Sequence, residues 1–64
     1  MKNIIKERRK PLNISQDDLA KKCQVSRQTI NAIENDKYDP TLSLAFKLAE
    51  VLETTVDDLF DFKN

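Results

Sequence analysis

Apolar residues recur along this chain at spacings of three and four, and no stretch alternates apolar and polar for long. The first pattern is that of helices with one buried face; the missing alternation argues against half-buried strands. Ile5, Leu12, Ile14, Leu19, Cys23, Val25, Ile30, Ile33, Leu42, Ala45, Leu48, Ala49, Leu52, Val56 and Leu59 fall at helical spacing or at turn junctions. Together they predict one shared core. Ala20 is small where the second and third helices would cross closely.

Start signals divide this pattern into five predicted helices. Ser15, Ser26, Thr41 and Thr55 each bring a side-chain oxygen that accepts from a free amide in a first helical turn. Asp18 and Asp58 follow Ser15 and Thr55 by three residues, which approximates a capping box and suits the positive helix start. The first helix is expected from about Asn3 to Arg9 or Lys10, because Pro11 disfavours helical backbone at Lys10. The others are expected over Gln16–Lys22, Arg27–Asn35, Leu42–Leu52 and Val56–Phe60, with a short tail after the last. The chain has no glycine, so Asn13 is the candidate for the left-handed position that closes the first helix.

Composition narrows the function. A chain of 64 residues fits one domain, 1–64, with a core that usually needs a staple or a partner. One cysteine allows no internal disulfide. With no histidine, a metal site would rest on Cys23 and carboxylates without ligand spacing, so neither metal nor cofactor is expected. Cys23 reads as a small core residue, with a redox switch as the alternative. No enzyme is expected: no Ser, Cys or carboxylate pair takes a catalytic arrangement, and a phosphate-cradling loop would need glycine. Asp17–Asp18 and Asp57–Asp58 read as helix-start acids. The first ten residues are too charged for a signal peptide, and the longest apolar run is Leu44–Phe46, so a cytoplasmic location is expected.

Net charge is zero, yet its distribution is uneven. Residues 1–37 hold nine Lys/Arg against five Asp/Glu, and residues 38–64 hold two against six. The basic half can approach phosphates while the acidic half faces away. The third predicted helix lies in the basic half. Ile30, Ile33 and Glu34 share one face, and the two isoleucines mark it as buried. Gln28, Asn31, Ala32 and Asn35 lie opposite, flanked by Arg27 and Thr29. Gln and Asn can pair with adenine N6 and N7, Arg with guanine O6 and N7, and Ala can touch a thymine methyl. Taken alone, this is also the composition of an ordinary solvated face; the residues before it decide.

The stretch SQDDLAKKCQVSRQTINAIENDKYDPTL resembles the helix-turn-helix of phage-repressor and Cro-like regulators, the Xre family. The resemblance rests on Gln16, Leu19–Ala20, Val25–Ser26, Gln28, Ile30, Ile33, Glu34–Asn35, Lys37, Pro40 and Leu42. It extends to IKERRK before the stretch and VDDLF after it. It implies an all-α, compact five-helix, lambda-repressor-like domain with the helix-turn-helix at residues 16–35. The implied function is sequence-specific binding of double-stranded DNA by a small transcriptional regulator, a repressor, acting on a near-palindromic operator.

Site residues follow from the resemblance. Arg27, Gln28, Asn31 and Ala32 would face bases. Gln16, Ser26, Thr29, Asn35, Lys37 and Tyr38 would hold backbone phosphates, with Gln16 at a helix start that already favours an anion. Gln16 and Ser26 also read as helix-start residues, and Tyr38 as packing against the turn. Glu34 would pair with Arg9, tying the first helix to the third; escape of its carboxylate to solvent is the alternative. The chain departs from the family at Asn13, Gln24 and Asp36, where glycine is common. Arg8 replaces an apolar residue, so the first helix would pack less deeply, and Pro11 is unusual. Leu44, Val51, Phe60 and Phe62 are the candidates for an exposed apolar patch where a homodimer would form through residues 41–64; the alternative is a monomer whose tail covers its own core. The rival function is an antitoxin-type module that binds DNA together with a partner protein, which the short tail disfavours.

Overall fold

In a computed structural model the described residues are 1–61. Five helices follow in order: α1 (Ile5–Leu12), α2 (Gln16–Cys23), α3 (Arg27–Glu34), α4 (Leu42–Val51) and α5 (Val56–Leu59). Two two-residue strands, β1 (Lys2–Asn3) and β2 (Phe60–Asp61), pair antiparallel, with Lys2 opposite Asp61 and Asn3 opposite Phe60. The small ribbon ties the start of the chain to the end of α5, and Ile4 N–H extends it with a 3.0 Å bond to the Leu59 carbonyl. It corrects the all-α expectation only at this margin; a two-residue strand has no periodicity to read.

Side-chain caps start four of the helices. Ser15, Ser26, Thr41 and Thr55 each accept from the backbone N–H three residues on, and Ser15 with Asp18 completes a capping box. The first four helices end alike, although the chain has no glycine. Asn13, Gln24, Asp36 and Glu53 all take left-handed backbone with φ near 60°. The next residue then closes each end with an N–H bond to a carbonyl five positions back: Ile14 to Arg9, Val25 to Ala20, Lys37 to Ala32 and Thr54 to Ala49. This geometry satisfies carbonyls that the helix leaves orphaned, and it is the one that glycine normally serves.

Ile5, Leu19, Ile30, Ile33, Leu48, Leu52 and Leu59 form a fully buried centre. Three expectations change around it. Helix α1 runs on through Pro11 to Leu12. Proline already has helical φ; its missing N–H removes one intrahelical bond, the one to the Glu7 carbonyl, and the closure by Asn13 and Ile14 still holds the last turn. Leu42 is not core: it is 69% exposed at the first position of α4. The expected apolar patch also fails. Phe60 (2% exposed) and Leu44 (9%) lie in the molecule's own core, and Val51 is half-buried against it. Phe62 lies outside the described residues. The period of α4 turns Leu44 and Val51 inward, and the ribbon does the same for Phe60.

Arg8 does not loosen α1. Its Nη2 donates to the carbonyls of Leu52 (3.2 Å) and Glu53 (2.8 Å), at the end of α4 where the helix dipole is negative. A long side chain in an apolar slot thus serves as a cap from another helix, although its Nε is buried without a partner.

Candidate nucleic-acid interface

The α2–α3 corner is built from local rules. Gln24 turns the chain in left-handed backbone, Val25 is half-buried against the core, and Ser26 starts α3. The Ser26 hydroxyl accepts from Thr29 N–H at 3.1 Å and shares a 3.0 Å hydrogen bond with the Thr29 hydroxyl. Ile30 and Ile33 then fix the inner side of α3, which leaves Arg27, Gln28, Asn31 and Asn35 exposed and Ala32 and Thr29 half-buried.

Two of the exposed polar side chains on α3 are not consumed internally. Among the described residues, the side chains of Arg27 and Gln28 make no hydrogen bond or ion pair. Both line a shallow groove of about 500 Å³ together with Gln16 and Asn31. Asn35 Nδ2 donates to the Asn31 carbonyl at 2.9 Å and to Asn31 Oδ1 at 3.2 Å. That contact fixes the Asn31 amide and leaves its Nδ2 available to an outside acceptor. Lys37 and Tyr38 follow directly on the left-handed Asp36, and both are exposed. They do not line the groove; they stand beyond the end of α3.

Glu34 anchors this surface from beneath. Its side chain is only 6% exposed, and an unpartnered carboxylate there would be costly. Arg9 meets it in a forked pair, Nε to Oε2 at 2.7 Å and Nη2 to Oε1 at 3.2 Å. The remaining Arg9 nitrogen, Nη1, donates to the Ile14 carbonyl at 3.0 Å. Gln16 Nε2 also donates to Glu34 Oε1, at 3.0 Å. The carboxylate therefore joins α1, α2 and α3 at one point.

Two contributions were not legible beforehand. Asn3 Nδ2 donates to the Ile33 carbonyl (2.8 Å) and to Asp36 Oδ1 (3.1 Å), so the strand before α1 braces the end of α3. Lys6 lines a polar cleft with Gln16, Asn31, Asn35 and the Arg9–Glu34 pair. Only the packing of α1 against α3 brings it there. Cys23 is buried among core residues; burial pushes its thiol above the ordinary range, and the nearby Lys47 charge opposes this in part. Among the described residues no group of three or more Cys, Asp or Glu gathers as a metal site, and no helix is long and apolar enough to cross a membrane.

A capped helix, anchored by its inner face and carrying amides and a guanidinium outward at the end of a tight helix–turn, defines a DNA-binding helix-turn-helix domain. Comparisons place it further. The sequence pattern of the Helix-turn-helix family matches residues 5–59, and the chain belongs to that family, in its Xre-like branch. An HTH-type transcriptional regulator of Methanocaldococcus jannaschii is 52% identical over 64 residues, covering 100% of this chain and 97% of that protein. An HTH-type transcriptional regulator of Archaeoglobus fulgidus is 44% identical over 62 residues, covering 97% and 87% respectively. Among solved structures, the DNA-binding domain of the P22 C2 repressor superposes with a TM-score of 0.78 at 32% identity, covering 83% of this chain and 70% of that one. The fold is thus that of the lambda-repressor-like domains, and the chain is a DNA-binding transcription regulator rather than an enzyme.

Proposed function

We propose that the chain acts as a repressor: two copies bind a near-palindromic operator, each placing α3 in the major groove. The observation that carries this reading is the outward face of α3, where Arg27 and Gln28 are exposed and internally uncommitted beside Asn31, with no acid among them. In this arrangement Arg27, Gln28, Asn31 and Ala32 read base edges. Gln16, Ser26, Thr29, Asn35, Lys37 and Tyr38 hold phosphates and set the register. Lys6 joins them, because it opens onto the same cleft as Gln16 and Asn31. A two-fold pair of such helices reads half-sites about 34 Å apart.

Selection of bound molecules from random duplex DNA tests the reading. The expected product is two inverted half-sites separated by one helical turn. Enrichment of no sequence would contradict base reading, and enrichment of a lone half-site would contradict the paired arrangement. Binding should weaken with salt, and Lys37→Ala should reduce the slope of log affinity against log salt by about 0.9 while weakening all sequences alike.

A further inference from the structure

Asn31 stands where two hollows on the outer side of α3 meet. It lines the shallow groove with Gln16, Arg27 and Gln28, and the polar cleft with Lys6, Gln16 and Glu34. Asn35 lines that cleft as well. Four residues apart, the two asparagines share one helical face. Asn35 N–H donates to the Asn31 carbonyl at 3.1 Å. Asn35 Nδ2 donates to the same carbonyl at 2.9 Å and to Asn31 Oδ1 at 3.2 Å.

Chemistry fixes which way both amides point. A backbone carbonyl only accepts, so the Asn35 atom beside it is the donor Nδ2. Nδ2 offers no lone pair, so the Asn31 atom facing it is the acceptor Oδ1. The reverse orientation of Asn31 would set two donors face to face. Asn31 Nδ2 is left over, with no partner among the described residues, and Asn31 is exposed. Its two protons are open to an outside acceptor.

We propose that Asn35 is a positioning residue that makes Asn31 a donor, so that Asn31 selects a base with an acceptor edge, guanine or thymine; this rests on the base-reading role of α3 given above. In the major groove guanine presents acceptors at N7 and O6, and thymine one at O4. Cytosine presents the N4 donor, and adenine an N6 donor beside N7. An asparagine free to turn pairs with adenine through both ends of its amide. Here Oδ1 is committed to Asn35, and the outward nitrogen would meet adenine N6 donor against donor. Asn35 spends its own donors in the same contact, since both Nδ2 protons and its backbone N–H go to Asn31. Its remaining side-chain atom, Oδ1, only accepts, and so does a phosphate oxygen. Asn35 therefore acts on DNA through Asn31, which narrows its part in the arrangement above from holding a phosphate to orienting a reader.

The test measures binding of the whole chain to duplexes that carry each base in turn at every position of the sequence selected from random DNA. Asn31→Ala identifies the position that Asn31 reads, as the one where base preference disappears. There the parent should favour guanine or thymine over adenine and cytosine by about fivefold or more. Asn35→Ala frees the Asn31 amide to turn, and should bring adenine within about twofold of the favoured base at that position while preferences elsewhere stay. Asn35→Asp keeps the shape but sets an acceptor against Asn31, and should abolish the preference for an acceptor edge or invert it. The ratio of affinities between bases is the readout, because a loss of stability would weaken every sequence alike. A parent that prefers adenine or cytosine at that position would overturn the positioning role and leave base reading by α3 standing. So would an Asn35→Ala protein that keeps the parent's ratios; equal weakening of all its sequences would return Asn35 to the phosphates. Unchanged preferences in Asn31→Ala would contradict base reading by Asn31 itself.

Discussion

Helices α3 and α4 are built on the same inner plan and differ on the outside. Each begins with a capping hydroxyl, Ser26 or Thr41, and each ends in a left-handed residue, Asp36 or Glu53. Each buries an aliphatic stripe, Ile30 and Ile33 in one, Ala45, Leu48 and Ala49 in the other. Outward, α3 carries Arg27, Gln28, Asn31 and Asn35, whereas α4 carries Leu42, Phe46, Lys47 and Glu50. The inner stripes make the fold and say little about function. The outer faces differ in the chemistry they offer: directed donors and acceptors suit base edges, and the exposed Leu42 and Phe46 side chains bring neither.

Breaking the anchor of α3 should have the largest effect. Arg9→Ala leaves Glu34 buried with only Gln16 as donor, and removing one partner of such a pair costs about 3–5 kcal/mol. Much of a 64-residue domain's stability would be lost. Urea unfolding should show it as a large fall in midpoint; an unchanged midpoint would mean that the pair does not hold α3.

The next effect separates the two outer faces. Gln28→Ala should remove about 1–3 kcal/mol of base discrimination at one position of each half-site and leave stability unchanged. Phe46→Glu should leave that discrimination untouched. If both variants changed base preference alike, the division of roles between α3 and α4 would fail.

Cap removal sharpens the inner similarity. Ser26→Ala and Thr41→Ala should each destabilise by about 1 kcal/mol in thermal unfolding. Only Ser26→Ala should also weaken DNA binding, because Ser26 stands beside Thr29 at the start of α3.

Two smaller effects concern the turn between α2 and α3. Left-handed backbone costs a residue with a side chain about 1–2 kcal/mol, part of which glycine forfeits through its more flexible unfolded chain. Gln24→Gly should therefore stabilise by about 0.5–1 kcal/mol, net of the lost contact from Lys47, as read by the unfolding midpoint. A destabilised variant would show that this contact outweighs the strain. The Cys23 thiol, raised by burial, gives a pH signature of defined sign. The folded state keeps its proton where the unfolded state begins to lose it. Its contribution is complete below the unfolded thiol value, about 8.5, and fades as pH rises through the folded one. Cys23→Ala should flatten the stability curve in that alkaline window; a curve of unchanged shape would assign the pH dependence elsewhere.

Much of the fold could be read from local signals. The four capping hydroxyls are short-range features, so α2, α3, α4 and α5 begin at the expected residues. Ends were harder. Pro11 looked like a terminator because the rule for the residue before proline is local, while the Schellman closure that overrides it depends on Asn13 and Ile14 together. Leu42 and Phe60 exchanged places for a related reason: periodicity gives the buried face of a helix but not what happens at its first turn, or after its last. Arg8 and Asn3 act on carbonyls 45 and 30 residues away, and no spacing rule reaches that far. At the candidate site the exposed face of α3 was legible from period and composition. The hydrogen bond from Gln16 to Glu34 and the position of Lys6 depended on how α1 lies against α3.

The claim that α3 reads DNA through its outward amides is tested most directly by measuring Gln28→Ala against a full set of single-base variants of the selected operator. The parent should lose affinity on substitution at each contacted base pair. Gln28→Ala should bind all four bases within about twofold at one position per half-site and keep the parent's preferences elsewhere. A Gln28→Ala protein with the parent's preferences at every position would contradict it.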